Sequence, residues 1–210
     1  MKLHGYFRSS AAWRVRIALN LKGLPAEHAF RHLRRGEQRA PDYLCLNPQG
    51  LLPSLETDDG AVLTQSVAIC EWLEETRPEP PLLPGSPLDR ARIRAFALAI
   101  ACDIHPVQNL KVLARLRGMQ VPEEEVTGWA RSVIQEGLEA CELLLAGGEG
   151  PFCFGPAPTL ADICLMPQVG NARRFGCDLG ALSRINAAVR ACEAHPAFIE
   201  AAPERQGDAE

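Results

Sequence analysis

The 210-residue sequence has no uninterrupted apolar run near the roughly 18 to 20 residues that cross a bilayer. Its opening, MKLHGYFRSS, lacks the apolar centre of a secretion signal, so a cytoplasmic location is expected. It also lacks an excess of positive charge. Against 26 acidic residues stand 22 Lys and Arg, a net charge of −4, which argues against nucleic acid or a membrane surface as partner. Internal repeats, low-complexity stretches and C-x-x-C pairs are missing too. The eight cysteines are loosely spaced among apolar residues, and this pattern predicts reduced core thiols rather than a disulfide frame. Cys102 and His105 in CDIH have no second ligand pair at zinc spacing, so no metal is expected.

What is present divides in two. RPEPPLLPGSP, residues 77 to 87, holds five prolines and a glycine and marks a linker. Before it, KLHGYF predicts a strand, residues 10 to 22 a helix ending at Gly23, and AEHAFRHL a second strand. LPSLE and AVL flank TDDG as a hairpin, and QSVAICEWLEET closes the region as a helix. After the linker the periodicity is helical. Helices are predicted over residues 88 to 117 with a kink or break at Pro106, and over 122 to 145. Another begins at Thr159, with Asp162 completing a capping box, and a last one spans 181 to 193. The expectation is an α/β domain over residues 1–80 and an all-helical domain over residues 87–210.

Two features of the first region have the chemistry of a binding site. Ser9 and Ser10 stand at a helix start, where free N–H groups and the helix dipole favour an anion such as a thiolate. Taken alone, a plain serine cap is the simpler reading. Gln65 and Ser66 open the next helix, a second dipole end suited to a carboxylate. Between them Pro53, after Leu51 and Leu52, cannot donate to a sheet ladder, which predicts an edge position or a cis bond.

Together these segments resemble the glutathione transferase superfamily. RSSAAWRVRIAL is close to the signature of its zeta class, which includes the maleylacetoacetate isomerases. LNPQGLLPSL, LTQSVAICEWLEE, ACDIHPVQNLKVL, FCFGPAPTLADICLMPQV and NARRF follow in the order and spacing of that class. The resemblance runs essentially end to end. It implies the glutathione transferase fold, an α/β thioredoxin-like N-terminal domain followed by an all-α C-terminal domain. It also implies glutathione as cofactor, with Ser9 stabilising the thiolate and Ser10 beside it. Leu52, ahead of a cis-Pro53, is then the backbone partner of the cysteinyl part. Gln65 and Ser66 hold the γ-glutamyl carboxylate, Gln38 makes a polar contact to the tripeptide, and Asp103 reaches the glutathione amine across a dimer interface.

The activity implied is glutathione-dependent cis–trans isomerisation of maleylacetoacetate to fumarylacetoacetate in tyrosine breakdown. Maleylpyruvate is the alternative substrate, and general conjugation of electrophiles a more distant alternative. The substrate is a small dicarboxylate, for which the resemblance offers Arg174 and Arg8 as carboxylate partners and His105 and Lys111 as lining residues. Ala11 stands where many zeta-class motifs carry a cysteine, and the isomerisation needs no thiol there. Gly170, just before NARRF, is small where a larger residue is expected, which is read as enlarging the substrate pocket. A homodimer is expected.

Overall fold

The computed structural model describes residues 1–210, and the chain divides into two compact units, Met1–Leu82 with Ala194–Glu210, and Leu83–Glu193. The first unit begins with strand β1 (Lys2–Gly5), helix α1 (Ser10–Leu21) and strand β2 (Glu27–Phe30). Two single 3-10 turns and the short helix α2 (Pro41–Leu46) lead to the hairpin of β3 (Ser54–Glu56) and β4 (Val62–Thr64), then to α3 (Ser66–Thr76). The sheet order is β2-β1-β3-β4. β1 and β2 are parallel, which requires the α1 crossover, whereas β3 runs antiparallel to both β1 and β4. Asp59 and Gly60 turn the hairpin, and Gly60 has a φ of +86°, where a side chain would be strained.

The alternation of arginine and apolar residues in α1 has a geometric cause. Residues two apart on a helix differ by about 200°, so Arg14 and Arg16 lie on nearly opposite faces. α1 packs against α3 on one side and against a terminal helix, Pro196–Ala201, on the other. Both arginines are therefore buried, although the helix has no plain polar stripe. Arg14 reaches Ser66 of α3, while the Arg16 Nε donates to the carbonyl of Ala201 at 2.9 Å. Burial pushes the Arg16 guanidinium down to about 10.

The second unit is all-helical. It holds α4 (Pro87–Leu98), a π-helical turn (Ala99–Ile104), α5 (Leu110–Gly118), α6 (Glu123–Leu144), α7 (Leu160–Phe175) and α8 (Ser183–Glu193); the terminal helix Pro196–Ala201 is α9. Around Pro106 the predicted 88–117 helix is broken outright, because proline removes a donor and crowds the preceding turn. Pro122 is the N-cap of α6 rather than its first residue. At Gly137 of α6, a Cβ would sit 2.4 Å from Ile104 Cδ1, so any larger residue there would have to displace the Ile104 side chain of the π turn. The capping box of α7 is present as expected, with Thr159 and Asp162 satisfying each other's orphan groups.

Two features depart from the sequence reading. Residues 194–210 were expected in the helical domain, and the structure places them with the first unit, tied by Arg16 and by the Asn20 side chain, which donates to Ala197 O at 3.0 Å. Five of the eight cysteines are buried as core thiols, whereas Cys45 and Cys102 are exposed and Cys177 is half-buried. Burial pushes the Cys141 thiol up to about 12. No helix is long and apolar enough to cross a membrane.

Candidate functional site

Strand register gathers the first unit's site residues. His4 of β1 pairs with Ser54 of β3, and Ser54 pairs with Thr64 of β4. The end of β1, the start of β3 and the end of β4 therefore lie along one edge of the sheet. The residues attached to those strand ends are Ser9 and Ser10, Leu52 and Pro53, and Gln65 and Ser66. Gly5 pairs with Phe30, so β2 also ends there, ahead of the 3-10 turn that holds Gln38.

Ser9 is the N-cap of α1: its N–H donates to Tyr6 O at 2.9 Å and its Oγ accepts from Ala12 N–H at 3.2 Å. The hydroxyl oxygen is thus the acceptor in the cap, and the hydroxyl proton donates to no group of the chain. Capping and donation to an anion are compatible roles for one serine. Ser10, the first residue of α1, is buried beside it. Arg8 is exposed, with its guanidinium 5.0 Å over the Phe7 ring.

The Leu52–Pro53 bond is cis. The loop before it is fixed by α2, since Tyr43 OH and Asn47 Nδ2 both donate to Leu51 O, at 2.6 and 2.8 Å. The Tyr43 proton is spent on Leu51, so Ser54 Oγ is the donor in the 2.8 Å contact between the two hydroxyls. Leu52 itself, held between these anchors, makes no backbone hydrogen bond within the chain, which leaves its N–H and C=O for another molecule. Gln38 Oε1 is buried and also has no partner.

Gln65 precedes α3 with a φ of +65°, a left-handed conformation that costs a non-glycine residue about 1–3 kcal/mol and clusters at ligand clamps. It provides no side-chain cap, and its Nε2 donates to Gln49 Oε1 at 3.0 Å. Ser66 follows, buried, with its Oγ accepting from Arg14 Nη1 at 3.3 Å.

The remaining expected residues belong to the second unit. Asp103 is exposed within the π turn, and His105 closes that turn through its N–H to Ile100 O at 2.9 Å. Lys111 is exposed near the start of α5, which Asn109 caps. Arg174 is exposed in the last turn of α7, its guanidinium 4.8 Å over the Phe175 ring.

The model described as the glutathione S-transferase N-terminal domain matches residues 8–76. Maleylacetoacetate isomerase of Pseudomonas aeruginosa is 48% identical over 210 residues, covering 99% of this chain and 98% of that protein. The holo structure of maleylpyruvate isomerase, described as a bacterial zeta-class glutathione S-transferase, is 44% identical with a TM-score of 0.97 and full coverage of both chains. The chain belongs to the zeta class of glutathione transferases. Maleylacetoacetate isomerase from Methylobacterium extorquens AM1, solved with bound malonate and glutathione, is 41% identical, with a TM-score of 0.96 and full coverage of both chains. The fold of this zeta-class chain is the one expected, a thioredoxin-like α/β domain followed by an all-α domain.

Sequence reasoning missed four residues that position these candidate site residues. Arg14 was visible only as part of an unexplained alternation. Tyr43 and Asn47 lie on a six-residue helix too short to show periodicity. Asp208, whose Oδ2 accepts from Phe7 N–H at 3.0 Å, comes from a segment with no motif.

Proposed function

We propose that the protein is a glutathione-dependent isomerase converting maleylacetoacetate to fumarylacetoacetate, acting in the cytoplasm as a homodimer in tyrosine breakdown. The observation that carries the reading is the gathering of Ser9, Leu52, Pro53 and Ser66 along one sheet edge, in a chain 48% identical to a maleylacetoacetate isomerase. Glutathione fits the residues present. Leu52 offers unpaired backbone groups, Gln38 an unpaired buried oxygen, and Ser66 the positive end of α3. Exposed apolar residues in each unit, among them Val62 and Leu98, support a dimer.

Bound by these residues, glutathione would supply a thiolate nucleophile for the conjugated cis double bond and would be recovered unchanged. Around it the chain binds and orients. Ser9 donates its spare hydroxyl proton to the sulfur, and Ser10 with the α1 N-terminus favours negative charge. An ordinary thiol near pKa 8.5 is only a few per cent ionised at neutral pH, so this stabilisation raises the reactive fraction. Leu52 pairs the cysteinyl backbone, Gln65 and Ser66 hold the γ-glutamyl carboxylate, and Gln38 contacts the tripeptide. Asp103 of a partner subunit meets its amine. Arg8 and Arg174 pair the substrate carboxylates, while His105 and Lys111 line the substrate.

Maleylpyruvate is the second reading, favoured by the TM-score of 0.97 to a maleylpyruvate isomerase. Purified protein assayed on both substrates, with and without glutathione, tests the proposal. A higher kcat/KM on maleylacetoacetate, with absolute dependence on glutathione, is expected. Turnover of neither substrate would remove the isomerase reading.

A further inference from the structure

Arg14 is an unusual buried cation. Its side chain is 2% exposed and forms no ion pair. Nη1 donates to Ser66 Oγ at 3.3 Å, whereas Nε and Nη2 are buried without partners. Taking a guanidinium out of water without a counter-charge is costly. The neighbouring residue decides what that charge is for.

A guanidinium has donors only, so in the Arg14–Ser66 bond the hydroxyl oxygen must accept. The single hydroxyl proton of Ser66 is therefore turned away from Arg14, and it donates to no other group of the chain. Ser66 is also the first residue of α3, where the backbone N–H has no intrahelical acceptor. Gln65, at positive φ, contributes no cap that would compete. One residue thus presents two donors at one helix end, with a buried positive charge behind them.

We infer that Arg14 is a positioning residue for glutathione: it fixes the Ser66 rotamer so that the hydroxyl proton meets the γ-glutamyl carboxylate. The inference rests on the glutathione reading proposed above. Arg14 does not touch the ligand; it acts through the Ser66 hydroxyl alone. A serine without this constraint would spread its hydroxyl over several rotamers and lose part of the bond.

Calorimetric titration with glutathione tests this on the unmodified chain, Arg14→Met, Ser66→Ala and the double variant. Arg14→Met is expected to weaken binding about ten-fold, the low end for a hydrogen bond to a charged group. The double variant is expected to bind no more weakly than the weaker single variant, because Arg14 has nothing to orient once the hydroxyl is gone. γ-Aminobutyryl-cysteinylglycine, which lacks the carboxylate, should bind the unmodified chain and Arg14→Met equally. Losses that add in the double variant, or unchanged affinity in Arg14→Met, would overturn the assignment. An equal loss with the truncated tripeptide would do the same. Circular dichroism checks folding, and if Arg14→Met is unfolded, Arg14→Lys carries the same cycle. Failure of the unmodified chain to bind glutathione would remove the glutathione reading and this role with it. Normal binding there with additive losses removes only the role of Arg14.

Discussion

The backbone N–H of Phe7 donates to Oδ2 of Asp208 at 3.0 Å, across 201 positions of sequence. Phe7 stands two residues before Ser9, and its carbonyl accepts from Arg16 Nη2 at 3.0 Å. Both backbone hydrogen-bonding groups of Phe7 are therefore held by side chains, and the loop entering α1 is pinned from two directions. Asp208→Ala leaves the N–H unpaired, at a cost of about 1–3 kcal/mol. A lower melting temperature and a several-fold lower kcat are expected, while Asp208→Asn keeps most of both because its amide oxygen still accepts. An alanine variant that melts with the native protein would show that the bond is not made in solution.

Ser9→Ala removes the α1 cap and the spare hydroxyl together. The cap is worth about 1 kcal/mol of stability. Losing one anion-stabilising donor typically costs about 2.7–4 kcal/mol in the transition state, or a hundred- to a thousand-fold in kcat. The fold should persist by circular dichroism while turnover collapses. Equal initial rates at saturating glutathione would make Ser9 a cap and nothing more.

Arg174→Met separates a dicarboxylate isomerase from a general transferase. A charge-assisted contact is worth roughly 1.5–3 kcal/mol, so kcat/KM on maleylacetoacetate or maleylpyruvate should fall about ten- to a hundred-fold. Conjugation of an uncharged aryl halide, which needs no carboxylate partner, should be retained. If both rates fall together, the arginine is structural; if neither falls, the carboxylate is held elsewhere.

His4 Nε2 lies 2.5 Å from Glu56 Oε1, and this hydrogen bond, opposed by burial, holds the Glu56 carboxyl below the ordinary range. Because the folded value is the lower one, the stabilisation is present above the ordinary value of 4.5 and is lost as pH falls through the folded value. Glu56→Gln should therefore lose less stability than the native protein on acidification below about pH 4.5. The side chain is 32% exposed, so solvent screening keeps the difference small. Urea midpoints of both proteins from pH 6 to pH 3 measure it, and parallel curves would discard the role.

Asp162 accepts from Cys153 N–H at 2.8 Å, Thr159 N–H at 2.9 Å and Thr159 Oγ at 3.0 Å, although burial pushes its carboxyl up. Asp162→Ala orphans two buried backbone donors, each costing about 1–3 kcal/mol. A markedly lower urea midpoint is expected, with a smaller drop for Asp162→Asn, which keeps one acceptor oxygen. A midpoint within error of the native one would mean that water replaces the carboxylate.

The parts of the fold legible from sequence were those set by local chemistry. Asp59 and Gly60 mark their hairpin because few other pairs suit that turn, and Thr159 with Asp162 marks a helix start through two reciprocal hydrogen bonds. Ser9 and Ser66 were legible as helix openings for the same reason. Arg14 and Arg16 were not, because their burial depends on α3 and α9 covering opposite faces of α1, a long-range fact that periodicity does not carry. α9, opened by Pro196 after its His195 cap, is a six-residue helix too short to show a period. Asp208 carries no local signature at all, since its partner is a backbone group.

The first unit is discontinuous in sequence, and synthesis from N- to C-terminus gives that a kinetic meaning. The four strands, α1 and α3 emerge from the ribosome early, yet the Arg16 face of α1 stays uncovered until Ala201 arrives. Phe7 likewise waits for Asp208. The contiguous second unit, though begun later, has all of its residues once Glu193 is made. Order of completion thus inverts order of synthesis. The contact that Asp208 makes to the loop carrying Ser9 can therefore form only after the helical unit has been made.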